Sequence, residues 1–289
     1  MRALSEDLPP VDFDTIIGET RAMIEAELDY TREAALTERV ALFFGEDGPI
    51  QAPRVVKELS TRRVLVTAFM RGDKITHVLD ELMQKRGAGD ESAQEALTVL
   101  LARVLEAYTR QALDLGVFQA DPHPGNLLAD AAGNLVVLDF GCAKEVPLAQ
   151  RALLVDLARA FVAKDAAKMA FAMQSMGFVT QSGSVEGLEA YAKVVLEQMG
   201  VVAARGGDWP NQVELLAQVA LMARFIEDDP MVRLPEEFVM LGRVFGTLSG
   251  LFLHYRPDVS AAARVIPLVL AALSRLEEAQ EAGPSEPAA

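Results

Sequence analysis

Between Gly18 and Phe44 apolar residues return at helical intervals, with Met23, Leu28, Ala35 and Leu42 set among many Glu and Arg residues. The pattern predicts one long amphipathic helix, stopped by Gly45 and the turn Glu46–Asp47–Gly48–Pro49. Two β-rich runs follow, Arg54–Leu59 and Arg63–Phe69, around Ser60–Arg63. They predict adjacent strands of a small antiparallel sheet, after which Arg71 and Gly72 open a connector. A second helix is expected from Glu91 to Leu115, with Leu97, Leu101, Val104, Tyr108 and Ala112 on one stripe and Gly116 at its C-cap. The runs 126–130 and 134–140 flank Ala131–Ala132–Gly133 as a hairpin of two short strands. From Leu148 onward the pattern predicts helices only, broken near Gly177, Gly183, Gly206 and Pro230 and ending around Ala279. Met169, Met173 and Met176 are expected to fill helical core. The apolar segment Ala261–Leu276 is interrupted by Arg264 and Pro267. It falls short of the roughly 20 residues a spanning helix needs, so a core-facing helix is expected there over a membrane-surface one. No internal repeat is visible.

Composition fits a globular chain: 51% of its 289 residues are hydrophobic. Its 27 Lys and Arg stand against 42 Asp and Glu, a formal charge of -15, which repels nucleic acid and anionic lipid as bulk partners. The single Cys142 forms no internal disulfide and no thiolate cluster. The first ten residues are acidic and lack the apolar core of a signal peptide, so a cytoplasmic location is expected. The element order is a small sheet with one helix, then a larger helical part with a hairpin at the junction. That is an α+β, protein-kinase-like two-lobed fold. Its expected divisions are a truncated N-lobe over 1–70, a helical C-lobe over 71–280 and a polar tail over 281–289.

The chemistry concentrates between Gln119 and Gly141. Asp121 lies five positions before Asn126, and Asp139 ends the hairpin's second strand at Asp139–Phe140–Gly141. In kinase-type phosphoryl transfer one Asp orients the attacking hydroxyl or water. An Asn five residues on and the Asp of an Asp-Phe-Gly triplet hold Mg²⁺ on the nucleotide phosphates. Mg²⁺ favours hard oxygen ligands, which Asn126 and Asp139 supply. Taken singly, Asp121–Asn126 is an ordinary turn and the triplet an ordinary strand end. Their order and separation by one hairpin favour a catalytic loop and metal site. His123 is expected to hold the loop by a hydrogen bond, and Cys142 to be a small packed residue.

Three segments resemble the UbiB, or aarF-domain, atypical kinases linked to ubiquinone biosynthesis. They are Glu27–Ala34, Phe118–Leu128 together with Leu138–Gly141, and Leu234–Asp258. The resemblance implies ATP and Mg²⁺ as cofactors, Asp121 as the catalytic residue, and Asn126 and Asp139 as metal ligands. It further implies Glu33 as the helix Glu that pairs with a nucleotide-positioning Lys, Glu27 and Asp29 as the family's own Glu-x-Asp motif, and a nucleotide hinge at Phe69 and Met70. The implied partners are a nucleotide, quinone-biosynthesis proteins or lipid precursors, with peripheral membrane contact. On a continuous helix Asp29 and Glu33 share a face, whereas Glu27 and Asp29 lie about 200° apart. A solvated acidic helix face is the plain alternative for these three residues.

The sequence departs from the family before this helix. Met1 to Glu33 holds no Lys and no glycine-rich loop, and the first lysine, Lys57, follows the helix. Either the first strands lie upstream, which the preserved Asp121, Asn126 and Asp139 favour, or the chain is a pseudokinase acting as an interaction module. The helix from Leu148 begins soon after the Asp-Phe-Gly triplet, with no Ala-Pro-Glu peptide platform. An ATPase or a small-molecule phosphotransferase is therefore favoured over an ordinary protein kinase. The aminoglycoside and choline phosphotransferases are the nearest enzymatic rivals, and the Glu27–Ala34 and Leu234–Asp258 segments speak against them.

Overall fold

The fold is taken from a computed structural model, which describes residues 29–204 and 229–258 together with Pro267, Leu270, Ala271, Ser274 and Arg275. Helix α1 covers Tyr30–Phe44, with Asp29 as its N-cap and Gly45 as its C-cap at φ 75°. The portion of the expected helix over 18–28 lies outside the described residues. The buried face of α1 is also not the one its apolar spacing suggests. Ala35 and Leu42 face solvent, while Leu36, Thr37, Glu38, Val40 and Ala41 are buried. The reason is that α1 docks partly through polar groups, so a count of apolar residues misreads its face.

Strand β1 is Ile50–Gln51. The runs 54–59 and 63–69 fold back on each other as expected, but without regular strands. Val55 bridges Thr67, Thr61 bridges Val64, and the Val56 and Ala68 N–H groups bond the carbonyls of Val66 and Arg54 at 2.8 Å. Ser60 Oγ enters the ladder by accepting the Val66 N–H at 3.0 Å, which keeps the pairing irregular. The expected connector after Gly72 holds instead strand β2, Asp73–Lys74, and helix α2, Ile75–Gly87. Ile75, Val78, Leu79, Leu82 and Met83 pack into the core at helical spacing, which is legible in the sequence as a helix in place of a connector.

Helix α3 runs Glu91–Arg110 and ends in a π-helical turn, Gln111–Leu115, capped by Gly116 at φ 69°. The whole predicted stripe is buried. Strand β3 (Val117–Phe118) leads to the 3-10 turn Pro124–Asn126. The predicted hairpin is present as β4 (Leu127–Ala129) and β5 (Leu135–Val137), followed by β6 (Lys144–Glu145). A four-stranded sheet takes the order β1-β5-β4-β2, with β1 parallel to β5 and β2 antiparallel to β4. β3 pairs with β6, Phe118 opposite Lys144. That pairing closes the neck of a segment carrying the candidate catalytic loop, the hairpin and the triplet.

Helices α4 (Leu148–Val162), α5 (Ala166–Met176) and α6 (Val185–Ala204) follow. A small pair of strands, β7 (Val179–Thr180) and β8 (Met231–Arg233), interrupts the expected all-helical region before α7 (Glu236–Tyr255). The methionines behave as expected, with Met169 buried and Met173 and Met176 packed around Phe178 and Leu188. Gly206 and the tail over 281–289 lie outside the described residues. Of the segment 261–276, the described Leu270, Ala271, Ser274 and Arg275 face solvent. Among the described residues α7 is the one helix long and apolar enough to cross a membrane. Its Leu241, Val244, Leu248, Leu251 and Tyr255 are nevertheless buried in the main core.

That core is continuous from Leu36 and Val40 of α1, through Leu97, Leu101 and Val104 of α3, to Phe140 of the triplet and Leu248 of α7. The hairpin bearing the metal-ligand candidates is thus seated on the most buried part of the molecule.

Candidate functional site

A short turn shapes the loop after β3. The His123 N–H donates to the Asp121 carbonyl at 2.7 Å and the Asn126 N–H to the His123 carbonyl at 2.8 Å. His123 Nδ1 accepts the Gly125 N–H at 3.0 Å, so His123 holds the turn as expected. The Asn126 side chain donates from Nδ2 to the Asp121 carbonyl at 3.4 Å, which leaves its amide oxygen as an acceptor. Asp121, half-buried, and Asn126 are therefore tied together before the hairpin begins.

The hairpin brings Asp139 back to the same place. Leu127 stands opposite Val137, and the Leu138 N–H donates to the Asn126 carbonyl at 2.8 Å, so Asp139 follows directly on Asn126's partner. Asp139 takes a left-handed conformation, φ 59°, which Asp tolerates better than most residues. One carboxylate oxygen accepts the Gly141 N–H at 3.1 Å. Cys142, next in line, is exposed, against the expectation of a packed residue, because the chain here runs along the surface.

Glu33 of α1 reaches this turn. Its carboxylate accepts the Phe140 N–H and its pKa is raised, first by burial and then by the charge of Asp139. Arg32 Nη2 donates to the Ala143 carbonyl at 3.2 Å, and Arg39 pairs with Glu145. Helix α1 is thus fastened along the segment from Phe140 to Glu145. Two carboxylates and an amide oxygen meet at the open end of the hairpin. This hard-oxygen donor set, with two like charges pressed together, fits a divalent cation such as Mg²⁺.

At the other end of β4 lies an open cleft of about 770 Å³, bounded by Gln51, Phe69, Met70, Gly72, Val78 and Asp130. Phe69 is 89% exposed, an apolar ring bare at the rim. Asp73 stands opposite Ala129, three residues from Asn126. At 3.3–3.4 Å per residue, Ala129 beside the cleft and Asn126 are about 10 Å apart along the chain. Gly72 is required by close approach: a Cβ there would meet the Ala129 carbonyl oxygen at 2.9 Å. Gly72→Ala is expected to push the hinge off β4 and lower stability by about 1–3 kcal/mol, the range for overpacking against a fixed neighbour, measured by urea unfolding. A neutral substitution would mean that the hinge is free to move away.

Glu38, which no sequence motif marks, is buried in α1 and joins it to the 54–69 hairpin. It accepts the Val55 N–H at 3.1 Å and pairs with Arg54 at 2.9 Å and Lys57 at 3.7 Å. Burial raises its pKa, but the Val55 N–H, Arg54 and Lys57 together outweigh burial and hold the carboxyl below the ordinary range. A depressed pKa contributes stability that is present above the unfolded value, about 4.3, and lost as pH falls through the folded one. Glu38→Gln should therefore flatten the acid limb of stability against pH below about pH 5. An acid limb identical to that of the wild type would show that Glu38 carries no such linkage.

The remaining site candidates divide. Glu27 lies outside the described residues. Asp29 has left the helix, with φ −96° and ψ 91°, so the shared-face argument with Glu33 does not apply. Its carboxylate accepts the Thr31 N–H and pairs with Arg62 at 3.1 Å. Asp121, Asn126, Asp139 and Glu33 converge, and Phe69 and Met70 line the cleft. Gln119 is buried and donates to the Asp139 carbonyl; Tyr108, expected on the buried stripe of α3, donates to Gln119, a role that the stripe alone does not signal.

A family model, the ABC1 atypical kinase-like domain, matches residues 1–173. The chain belongs to this family. Among its ABC1 relatives is the protein Activity of BC1 complex kinase 7 of Arabidopsis thaliana, described as chloroplastic. It is 26% identical over 279 residues, which cover 96% of this chain and 38% of the relative. An uncharacterised protein of Synechocystis is 25% identical over 262 residues, covering 89% of this chain and 43% of that one. The chain thus spans about two fifths of the length of these curated relatives. Among solved structures, the Rv3197–erythromycin complex of Mycobacterium tuberculosis superposes with a TM-score of 0.56 at 19% identity, covering 89% of this chain and 62% of that one. That likeness concerns the fold, which is the kinase-like ABC1 fold, α+β with short sheets and mostly helical content.

Proposed function

We propose that the chain is the nucleotide-binding body of an ABC1-type kinase or ATPase that holds Mg-ATP along the β4–β5 hairpin. The supporting observation is the convergence of Asp121, Asn126 and Asp139 at one end of that hairpin, with Glu33 docked on the Phe140 N–H. Asn126 and Asp139 would hold the metal. When bound, Mg²⁺ neutralises charge on the phosphates. Asp121 orients the attacking hydroxyl or water and accepts its proton, while Phe69 and Met70 receive the base at the cleft rim. The lobes in this reading are 1–70 and 71–280. The family association suggests a role in isoprenoid quinone biosynthesis, with quinone-pathway proteins or lipid precursors as partners, and a cytoplasmic chain in peripheral contact with membrane.

A second reading, a pseudokinase module, has one observation in its favour. Glu33 faces Asp139 and Phe140, while Lys57, the first lysine of the chain, is engaged with Glu38. The deciding experiment is thermal unfolding of the purified chain with ATP in the presence and absence of Mg²⁺. Stabilisation by ATP that needs Mg²⁺ supports the first reading, and no shift at millimolar nucleotide leaves the module. Growth rescue on aminoglycosides would point to the small-molecule phosphotransferase rival instead.

A further inference from the structure

Two successive carbonyls, those of Leu138 and Asp139, point at the same side chain. Gln119 Nε2 donates to the first at 3.0 Å and to the second at 3.1 Å. In an extended strand successive carbonyls point to opposite sides, so one amide group reaches both only where the chain turns between them. The turn is the left-handed residue Asp139, φ 59°. Gln119 is fully buried, and its other polar atoms are used. Oε1 accepts the Tyr108 hydroxyl, and its backbone N–H donates to Gln111 Oε1 at 3.1 Å.

The third member is placed by an unusual piece of backbone. Gln111 opens the π-helical turn at the end of α3, a local expansion that recurs at functional sites. It is fully buried, and its Nε2 has no partner among the described residues. A half-satisfied buried amide is a cost. What the arrangement obtains is the Oε1 bond that fixes Gln119.

We propose that Gln119 is a positioning residue, clamped by Tyr108 and Gln111, whose amide N–H groups hold the left-handed turn at Asp139 and thereby fix the direction of its carboxylate at the open end of the hairpin, beside Glu33. The consequence for metal binding rests on the reading of Asp139 as a ligand given above. The hold of Gln119 on the turn does not depend on it.

Gln119→Met keeps the shape of the side chain and removes both donors. The double variant Tyr108→Phe/Gln119→Met also removes the hydroxyl that would lose its acceptor, which protects folding. Gln119→His returns a ring N–H. Each is compared with the wild type by amide hydrogen exchange and by titration with Mn²⁺ as a paramagnetic probe. The Met variants should exchange the Phe140 and Gly141 amides at least about tenfold faster, with the amides of α3 unchanged. Their Mn²⁺ Kd should rise about 10- to 100-fold, the usual effect of losing a group that orients a metal ligand, and Gln119→His should recover much of that loss. Unchanged exchange at Phe140 and Gly141 in a folded Met variant would overturn the inference. Faster exchange with unaltered Mn²⁺ affinity would overturn the aiming of the carboxylate, leaving Gln119 only as the residue that holds the turn. A wild type with no Mn²⁺ affinity would refute the metal reading instead, and exchange alone would then decide whether Gln119 holds the turn.

Discussion

Asp139→Asn is expected to abolish the Mg²⁺-dependent part of nucleotide stabilisation while leaving the fold intact. At about 100 times its Kd a ligand adds roughly 2.7 kcal/mol, which for a chain of this size raises Tm by about 5–10 °C. The substitution replaces an anionic oxygen by a neutral one in a proposed set where Asn126 would supply a neutral amide oxygen. The divalent cation would then have lost its main charge partner. Asn is the right replacement because Asp139 sits at φ 59°. Asn occupies the left-handed region readily, whereas Ala there would add about 1–2 kcal/mol of strain and confuse the result. The variant without ligand should be no less stable than the wild type, since the charge that faces Glu33 is removed. A full Mg²⁺-dependent shift in the variant would show that Asp139 is not a ligand.

The sequence made some of this site legible and hid the rest for physical reasons. Asp121, Asn126 and Asp139 could be read because loop and hairpin chemistry is local. Turn residues fix the spacing of the first two, and a three-residue hairpin turn fixes the return of the third. Glu33 could be placed near them only by resemblance, but in the structure it meets the Phe140 N–H beside Asp139. The face of α1 was misjudged because its docking uses Glu38 against Val55 and Arg54 and Arg32 against Ala143. A hydrophobic count sees such residues as solvated. The periodicity over 18–44 puts Asp29 inside a helix because apolar spacing alone does not mark a cap. Here the Thr31 N–H and the Arg62 guanidinium draw it off the helix. Gln119 was invisible for a different reason. A buried amide acts through which carbonyls it reaches, and that depends on the left-handed turn at Asp139, twenty residues further along the chain.

Phe140→Ala should produce the largest loss of stability among these changes, about 3–5 kcal/mol, the range for removing a buried aromatic ring. Phe140 is fully buried in the core that joins Leu36 and Val40 of α1 to Leu101 and Val104 of α3. A loss of that size is a large part of the 5–15 kcal/mol that a domain typically has. It should appear as a fall in the urea midpoint with little change in slope. Phe140→Leu keeps most of the volume and should cost under about 1.5 kcal/mol. The larger interest lies in what the ring anchors, because Phe140 sits between the metal-ligand candidate Asp139 and the Glu33 contact. In Phe140→Ala the backbone bond to Glu33 loses its support, so amide exchange at Phe140 and Gly141 should rise by more than the global loss of stability requires. A loss of less than about 1 kcal/mol would mean that the ring leaves its pocket in solution. The turn at Asp139 would then be held by Gln119 and Glu33 alone.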